Sequence, residues 1–181
     1  MPVVSLFHGA FCQEAAVADA LASAQGLTVV ADEACIREAG QRSGLGSAAV
    51  ARAFAARVSV FDRFTHETNH ALAWLRLVLA ERLAESDALL FVGGCALLPP
   101  RAIGHILRVC LIADASARRR LAAEAGHDVQ TARKLVAEAD AARAAFAARA
   151  AGTPDPWDPM LFDMVLPMDK LTPQAAVDCL A

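Results

Sequence analysis

A short stretch near the start of the chain decides the fold: Val3-Val4-Ser5-Leu6-Phe7-His8-Gly9-Ala10-Phe11-Cys12-Gln13-Glu14. Apart from Ser5, its first residues are β-branched or bulky and apolar, which predicts a buried strand over residues 3–7. Residues 8–11 form a turn around Gly9, and from Cys12 onward the apolar residues recur at helical spacing. The stretch therefore predicts a strand, a tight turn and a helix in direct succession.

This succession has the layout of a phosphate-binding loop, in which backbone N–H groups and the start of a helix hold anionic oxygens. Such a loop also needs several glycines, so that the backbone can approach the phosphates, and a lysine for their charge. Here Gly9 is the only glycine, and Phe11, Cys12 and Gln13 stand where further glycines and the cation are expected. On layout alone, an ordinary strand-to-helix turn is the favoured interpretation.

The composition bounds the class of protein. The chain has 181 residues, 56% of them hydrophobic, and a formal net charge of −3. This length suits one domain with a sizeable core, and the charge gives no basis for binding nucleic acid or an anionic membrane. The five cysteines are scattered and form no C-x-x-C pair, which favours buried thiols in a reducing compartment. We therefore expect a cytoplasmic protein.

The rest of the chain alternates strand and helix patterns. Strands are predicted near residues 3–7, 27–31, 88–93, 106–112 and 161–166. Helices are predicted at residues 32–39 ended by Gly40, 48–58 capped by Ser47, 65–85 capped by Thr65, 115–125, 129–151 capped by Asp128, and after Thr172. This alternation predicts an α/β domain with a five-stranded parallel sheet flanked by helices. The abrupt stop at Ala181 suggests that this single domain was cut from a longer chain.

Ligands of such sheets bind at the carboxyl ends of the strands. The predicted strands place His8-Gly9, Gly93-Gly94-Cys95 and Ala113-Asp114 at that edge. We therefore expect any ligand site to lie there.

Several short motifs from residue 88 onward stand in a fixed order. They are Val92-Gly93-Gly94-Cys95-Ala96, Leu107-Arg108-Val109, Arg118 to Arg120, Asp140-Ala141-Ala142-Arg143, Asp158-Pro159-Met160-Leu161-Phe162-Asp163 and Ala176-Val177-Asp178, with Ser43-Gly44-Leu45 upstream. Their order and spacing resemble the cytidylate kinase-like family of P-loop nucleoside monophosphate kinases over nearly the whole chain. The resemblance implies a P-loop kinase-like fold with strand order 2-3-1-4-5.

The departures from the family pattern fall on its chemistry. The family loop is close to S-R-E-Y-G-S-G-G, followed by a basic or polar residue and Glu. Here Ser5, Gly9 and Glu14 match it, and the rest is replaced by Leu6, Phe7, His8, Ala10, Phe11, Cys12 and Gln13. Gly94 stands where the arginine of the family's V-G-R-G would hold the acceptor monophosphate. Since phosphoryl transfer depends on positioning and charge stabilisation, these losses together should leave little activity.

Some of the family's arginines remain. The resemblance implies that Arg118 or Arg119, together with Arg143, would close over a phosphoryl group. From the residues alone, the triplet at 118–120 is typical of a solvated helix face, and Asp140 with Arg143 of an i,i+3 pair. The candidate nucleotide- or anion-binding residues are His8, Gly9, Ala10, Phe11, Cys12, Gln13, Gly93, Gly94 and Asp140.

We therefore expect a catalytically degenerate cytidylate kinase-like domain in a regulatory role. It would bind a nucleotide or another small anion, or a protein partner or neighbouring domain, and neither nucleic acid nor membrane. The alternative is an active CMP-type kinase that uses ATP and Mg²⁺, in which Arg118, Arg119 and Arg143 would be catalytic.

A third, remote hypothesis is a zinc hydrolase. His66-Glu67-Thr68-Asn69-His70 is an H-E-x-x-H string on a predicted helix, where the histidines share a face and Glu67 could act as general base. A catalytic zinc needs a third protein ligand, but the extended motif is absent, and Glu81 or Glu85 would reach only from a bent helix. We expect no metal here.

Overall fold

The computed structural model describes residues 3–55 and 62–180, and for residues 62–65 the helical backbone alone. Its centre is a five-stranded sheet in the order β2-β3-β1-β4-β5, with every neighbouring pair parallel. The strands are β1 Val3–His8, β2 Thr28–Ala31, β3 Leu89–Val92, β4 Ile106–Ile112 and β5 Met164–Pro167. The predicted fold class and strand order are confirmed.

Helices cover both faces of the sheet. They are α1 Glu14–Gln25, α2 Asp32–Ser43, α3 Ser47–Ala51, α4 Asp62–Glu85, α5 Ala115–Glu124, α6 Val129–Ala150 and α7 Pro173–Leu180. Short 3₁₀ turns lie at Arg52–Phe54, Gly94–Leu97 and Pro159–Leu161. Within the described ranges, no helix combines the length and apolar character needed to cross a bilayer.

The core lies on both sides of β1. On one face, Leu6 packs with Leu21 of α1 and Val177 of α7. On the other, Val3 packs with the buried face of α4, which includes Leu75. Side chains of β1 are buried on both faces of the sheet, which explains why its sequence is a nearly continuous apolar run. The predicted buried strand is confirmed.

The prediction that Gly40 ends the second helix is wrong. α2 continues to Ser43, and Gly44, with φ 73°, follows its last residue. Gly40 is needed for packing instead, since a Cβ there would lie 2.5 Å from the backbone nitrogen of Ser47. The glycine lets the start of α3 approach α2 closely.

Other predicted boundaries differ by a few residues. Thr65 lies inside α4, which begins at Asp62, so the predicted cap is wrong. The helix predicted over 48–58 corresponds to α3, which ends at Ala51 and is followed by a 3₁₀ turn. Residues 56–58 of that predicted helix lie outside the described residues, as do positions 60–61 of the predicted connection.

Two predicted helix caps are confirmed. The Asp128 carboxylate accepts hydrogen bonds from the amides of Gln130 and Thr131 at the start of α6. The Thr172 hydroxyl accepts from the amide of Ala175 at 3.2 Å. Each cap satisfies helix donors that have no partner within the helix.

Gly40→Ala should destabilise the protein, although alanine favours helices over glycine. The added methyl group meets backbone atoms of Gly46 and Ser47 that cannot rotate away. We expect a loss of about 1–3 kcal/mol in the free energy of unfolding, the usual range for overpacking, measured by urea denaturation. Gly104→Ala is the matched control because a Cβ there meets nothing within 4 Å. An unchanged or raised stability of Gly40→Ala would contradict this account.

Candidate functional site

The turn after β1 has a strained backbone. Gly9 donates its amide to the carbonyl of Leu111 at 2.9 Å, which ties the start of the turn to β4. Phe11 and Gln13 then adopt the left-handed conformation, with φ 59° and 57°. This conformation costs an L-residue roughly 1–2 kcal/mol. Gln13 also precedes α1, which is why the helix begins at Glu14 and not at Cys12 as predicted.

The turn presents backbone donors at the start of α1. In the described part of the chain, no protein atom accepts a hydrogen bond from the amides of Ala10, Phe11, Gln13 or Glu14. Amides at a helix start, together with the helix dipole, favour an anion.

Cys12 does not take part in this donor surface. Its side chain is fully buried and packs in the core beneath the turn. Burial raises the pKa of its thiol to about 11, so the thiol stays protonated near neutral pH and is a poor nucleophile.

Arg118 reaches the turn from α5. It is 7% exposed, and its two terminal nitrogens donate to the Asp140 carboxylate of α6 at 2.8 and 2.6 Å. This contact raises the pKa of Arg118, which stays fully charged. A methyl group on Gly9 would lie 3.1 Å from the guanidinium, so Arg118 lies directly against the turn. Arg119, the other candidate of the triplet, is exposed.

Arg143 holds the end of β1. Its Nε donates to the carbonyl oxygen of His8 at 2.6 Å, and a terminal nitrogen donates to Ala139 at 3.2 Å. Burial lowers the pKa of Arg143, while Glu14 and Asp140 oppose that change. Both arginines that the resemblance assigned to phosphate are therefore at the turn, and each is bonded to protein groups.

His8 lies between Arg143 and Glu14. Its Nδ1 is 3.6 Å from the Glu14 carboxylate and 3.0 Å from the carbonyl oxygen of Gly9. Burial lowers the pKa of His8, and the repulsion from Arg143 acts in the same direction, against the attraction of Glu14. The imidazole is therefore held neutral near pH 7.

A cavity of about 610 Å³ lies beside the turn, between α1, α2, β3 and α6. This volume suits a small-molecule site. The carboxylates lining it are Glu14, Asp19, Asp32 and Glu33, whereas Arg143 is its one lining guanidinium among the described residues. The lining therefore carries an excess of negative charge, which disfavours the binding of an anion in the cavity.

Asp32, the first residue of α2, fixes the wall of this cavity. Its carboxylate accepts from the amides of Gly94 at 2.7 Å and Cys95 at 2.8 Å. Burial raises the pKa of Asp32, and the two amide bonds oppose that change. Gly94 was a candidate anion-binding residue in the sequence, but its N–H group already donates a hydrogen bond to the Asp32 carboxylate.

Sequence reasoning did not single out Asp32. The available signal was its position directly after β2, at the same edge of the sheet as Gly9. A Cβ on Gly93 would overlap the Asp32 carboxylate, and one on Gly94 would lie 2.8 Å from the Phe54 ring. A larger residue at either position would therefore force the Asp32 carboxylate or the Phe54 ring to move.

Two residues of the H-E-x-x-H string contact other side chains of the protein. The Trp74 indole donates to Nε2 of His70 at 2.9 Å, and the Arg52 guanidinium lies 3.4 Å from the Glu67 carboxylate. Across residues 3–55 and 62–180, no group of three His, Cys, Asp or Glu side chains could hold a metal ion. A third ligand for the two histidines is thus missing from the described part.

The sheet order and the turn at its carboxyl edge define a domain of the P-loop kinase type. The chain belongs to the cytidylate kinase-like family, whose model matches residues 3–170.

Three solved structures share the fold. An uncharacterized protein from Eubacterium ventriosum has a TM-score of 0.72 at 12% identity, a shikimate kinase from Bacteroides thetaiotaomicron 0.57 at 14%, and TT1252 from Thermus thermophilus 0.55 at 16%. Each alignment covers 99% of this chain and 96% of the other. At these identities the similarity establishes the fold alone. No curated protein matches the chain.

Asp140→Ala should lower the free energy of unfolding by about 1–3 kcal/mol, because it leaves the buried Arg118 guanidinium without its carboxylate. Urea denaturation measures the change. Glu138→Ala on the same helix is the control, since its pair with Lys134 spans 3.9 Å between two exposed side chains. Exposed pairs of this kind contribute at most about 1 kcal/mol. Equal effects of the two substitutions would mean that Arg118 does not depend on Asp140.

His8 should make stability depend on pH. Because the pKa of His8 is lowered in the folded state, the unfolded chain takes up the proton first as the pH falls. The neutral imidazole makes its full contribution to the free energy of unfolding above the unfolded-state pKa of about 6.5. Below that pH the contribution falls by up to about 1.4 kcal/mol per pH unit. The unfolding free energy of wild type should therefore fall relative to that of His8→Gln as the pH is lowered from 7.5 to 5. A constant difference over this range would exclude this role of His8.

Proposed function

We propose that this protein is a catalytically degenerate member of its family that binds a phosphate-bearing small molecule at the turn after β1 and acts in regulation. The observation that carries the proposal is the turn itself, with Phe11 and Gln13 in left-handed conformations and unbonded amides at the start of α1. Strained conformations of this kind persist where the surrounding structure imposes them, and they cluster at functional sites.

Phosphate binding is supported by the groups around the turn. By resemblance, Phe11 stands at a position where the family has glycine, and it has the positive φ that glycine adopts without cost. Phe11 also makes an edge-to-face contact with His127, at 6.0 Å between ring centroids, which helps to hold the turn. Arg118, which is paired with Asp140, lies against Gly9 beside the amides.

ATP with Mg²⁺, which kinases of this family typically use, fits these residues poorly. Gln13 offers a neutral amide where a cation would offset the charge of the phosphates. The two nearby guanidinium groups are engaged elsewhere: Arg118 with Asp140, and Arg143 with the carbonyl of His8. These residues are therefore poorly suited to phosphoryl transfer from ATP.

The part of the site that would hold the acceptor nucleotide also fits phosphoryl transfer poorly. The resemblance would put a nucleoside monophosphate in the cavity, with its phosphate on an arginine at position 94. The position is Gly94, its amide is donated to Asp32, and the lining carries four carboxylates. A phosphomonoester dianion entering this cavity would meet net repulsion.

A regulatory domain needs only binding that changes its contacts with a partner. A neighbouring domain or another protein is the proposed recipient of that change, and the cytoplasm is the proposed location. The four buried cysteines, all free thiols, accord with a reducing compartment.

An active CMP-type kinase is the second candidate. It is favoured by the size of the cavity, about 610 Å³, and by the array of Arg118, Asp140 and Arg143 beside the turn. These groups could rearrange around a bound nucleotide.

The two candidates differ in binding and in turnover. Inorganic phosphate titrated into ¹⁵N-labelled protein should shift the amide resonances of Ala10, Phe11, Gln13 and Glu14. Arg143→Ala should weaken this binding several-fold, because it removes a nearby positive charge, whereas Arg133→Ala, an exposed residue of the same helix, should not. In a coupled assay with ATP–Mg²⁺ and each of CMP, dCMP, UMP and AMP, turnover should stay well below about 1 s⁻¹, the low end of typical enzymes.

Turnover of about 1 s⁻¹ or more that is abolished in Arg143→Ala would refute the proposal that the protein is catalytically degenerate, and would establish it as a kinase. Absence of any amide shift at the turn, even at millimolar phosphate, would refute phosphate binding.

A further inference from the structure

A second cavity, of about 310 Å³, lies near the amino ends of β4 and β5, away from the turn at Gly9. Its polar lining consists of three arginine side chains, Arg76 of α4, Arg101 before β4 and Arg108 of β4. Among the described residues that line it, none is acidic. Its walls are otherwise apolar and include Leu97, Leu98, Pro99, Pro100, Leu161 and Phe162.

Arg108 is an unusual residue at its place in the sheet. It lies on β4 between the buried residues Ile106 and Cys110, on the face that packs against the core, and is only 8% exposed. Its guanidinium donates to the carbonyl oxygens of Pro100 at 2.8 Å and Ile106 at 3.1 Å, which are neutral acceptors. A buried charge without a carboxylate partner is costly.

The Asp163 carboxylate does not neutralise Arg108 through a hydrogen bond to the guanidinium. Asp163 accepts from the backbone amide of Arg108 at 2.8 Å, and not from its guanidinium. Burial lowers the pKa of Arg108, and the nearby Arg101 acts in the same direction, while Asp163 opposes both. The strand therefore holds a positive charge that the protein compensates incompletely.

Arg76 and Arg101 are exposed and carry unused donors. Arg76 donates to the carbonyl of Ala150 at 3.1 Å, and Arg101 donates to the carbonyl of Met160. A guanidinium has five N–H donors, so most of theirs remain available for a ligand. In the part of the chain that the structure describes, neither forms an ion pair.

We propose that this cavity binds a small organic oxyanion, a carboxylate or phosphate group attached to an apolar body. Guanidinium groups match the two oxygens of such a group bidentately. The apolar walls formed by Leu97, Leu98 and Leu161 would cover the body of the molecule. This proposal does not depend on the function proposed for the turn, because the two sites share no lining residue.

Three probes of similar size and shape test the proposal: phenyl phosphate, benzoate and benzyl alcohol. Each is titrated into protein with ¹³C-labelled leucine methyl groups, and the resonances of Leu97, Leu98 and Leu161 report this cavity alone. We expect one or both anions to shift these methyl groups and the neutral alcohol to leave them unchanged. Comparison of phenyl phosphate with benzoate shows which oxyanion the arginines prefer.

Arg101→Gln and Arg76→Gln should each raise the Kd of the bound anion about tenfold, as expected for loss of a charge-assisted contact. Both residues are exposed, so both variants should fold. Arg133→Gln, which removes one exposed charge from α6, is the control and should leave the Kd within about twofold.

Three outcomes would overturn the proposal: no methyl shift with either anion, equal binding of benzyl alcohol, or the same Kd in all three variants. Phosphate binding at the turn is read separately from the amides of Ala10 to Glu14. Failure at one site is therefore distinguishable from failure at the other.

Discussion

The central place of β1 is the constraint on which the rest of the structure depends. β1 pairs with β4 along its whole length and with β3 through Val4 to Leu6. The pairing continues beyond the strands, because Gly9 donates to Leu111 and Gly93 donates to Leu6. These bonds hold the turn after β1 and the turn after β3 at one edge of the sheet. The amides without a protein acceptor at the start of α1 and the acidic cavity are neighbours for this reason.

Two of the cavities have lining charges of opposite sign. The larger one, at the carboxyl edge, is lined by carboxylates and by an arginine bonded to backbone carbonyls. The smaller one is lined by arginines without carboxylates. The 3₁₀ turn Gly94–Leu97 joins them, since Asp32 holds its first residue and its last residue lines the smaller cavity. An arginine-lined cavity therefore lies away from the turn at Gly9.

Much of the fold was predictable because its signals are local. Continuous apolar runs predicted the central strands, and Asp128 and Thr172 were identified as caps because a cap depends on residues two or three positions away. Gly40 was misread for the opposite reason. Its role depends on the backbone of Ser47, and α2 can continue through a glycine that packing requires. The position of Thr65 within α4 was likewise not visible from the local pattern.

By itself, the sequence determined the order of strands and helices, the family and the absence of a cation at Gln13, since all of these lie in residue type and spacing. Only the tertiary structure decided which groups meet. Asp32 reaches the amide of Gly94, and Arg118 reaches Asp140, across long stretches of chain. Distance and burial set the strength of charged contacts, and both exist only once the chain is folded. The sign of each cavity was therefore a product of folding.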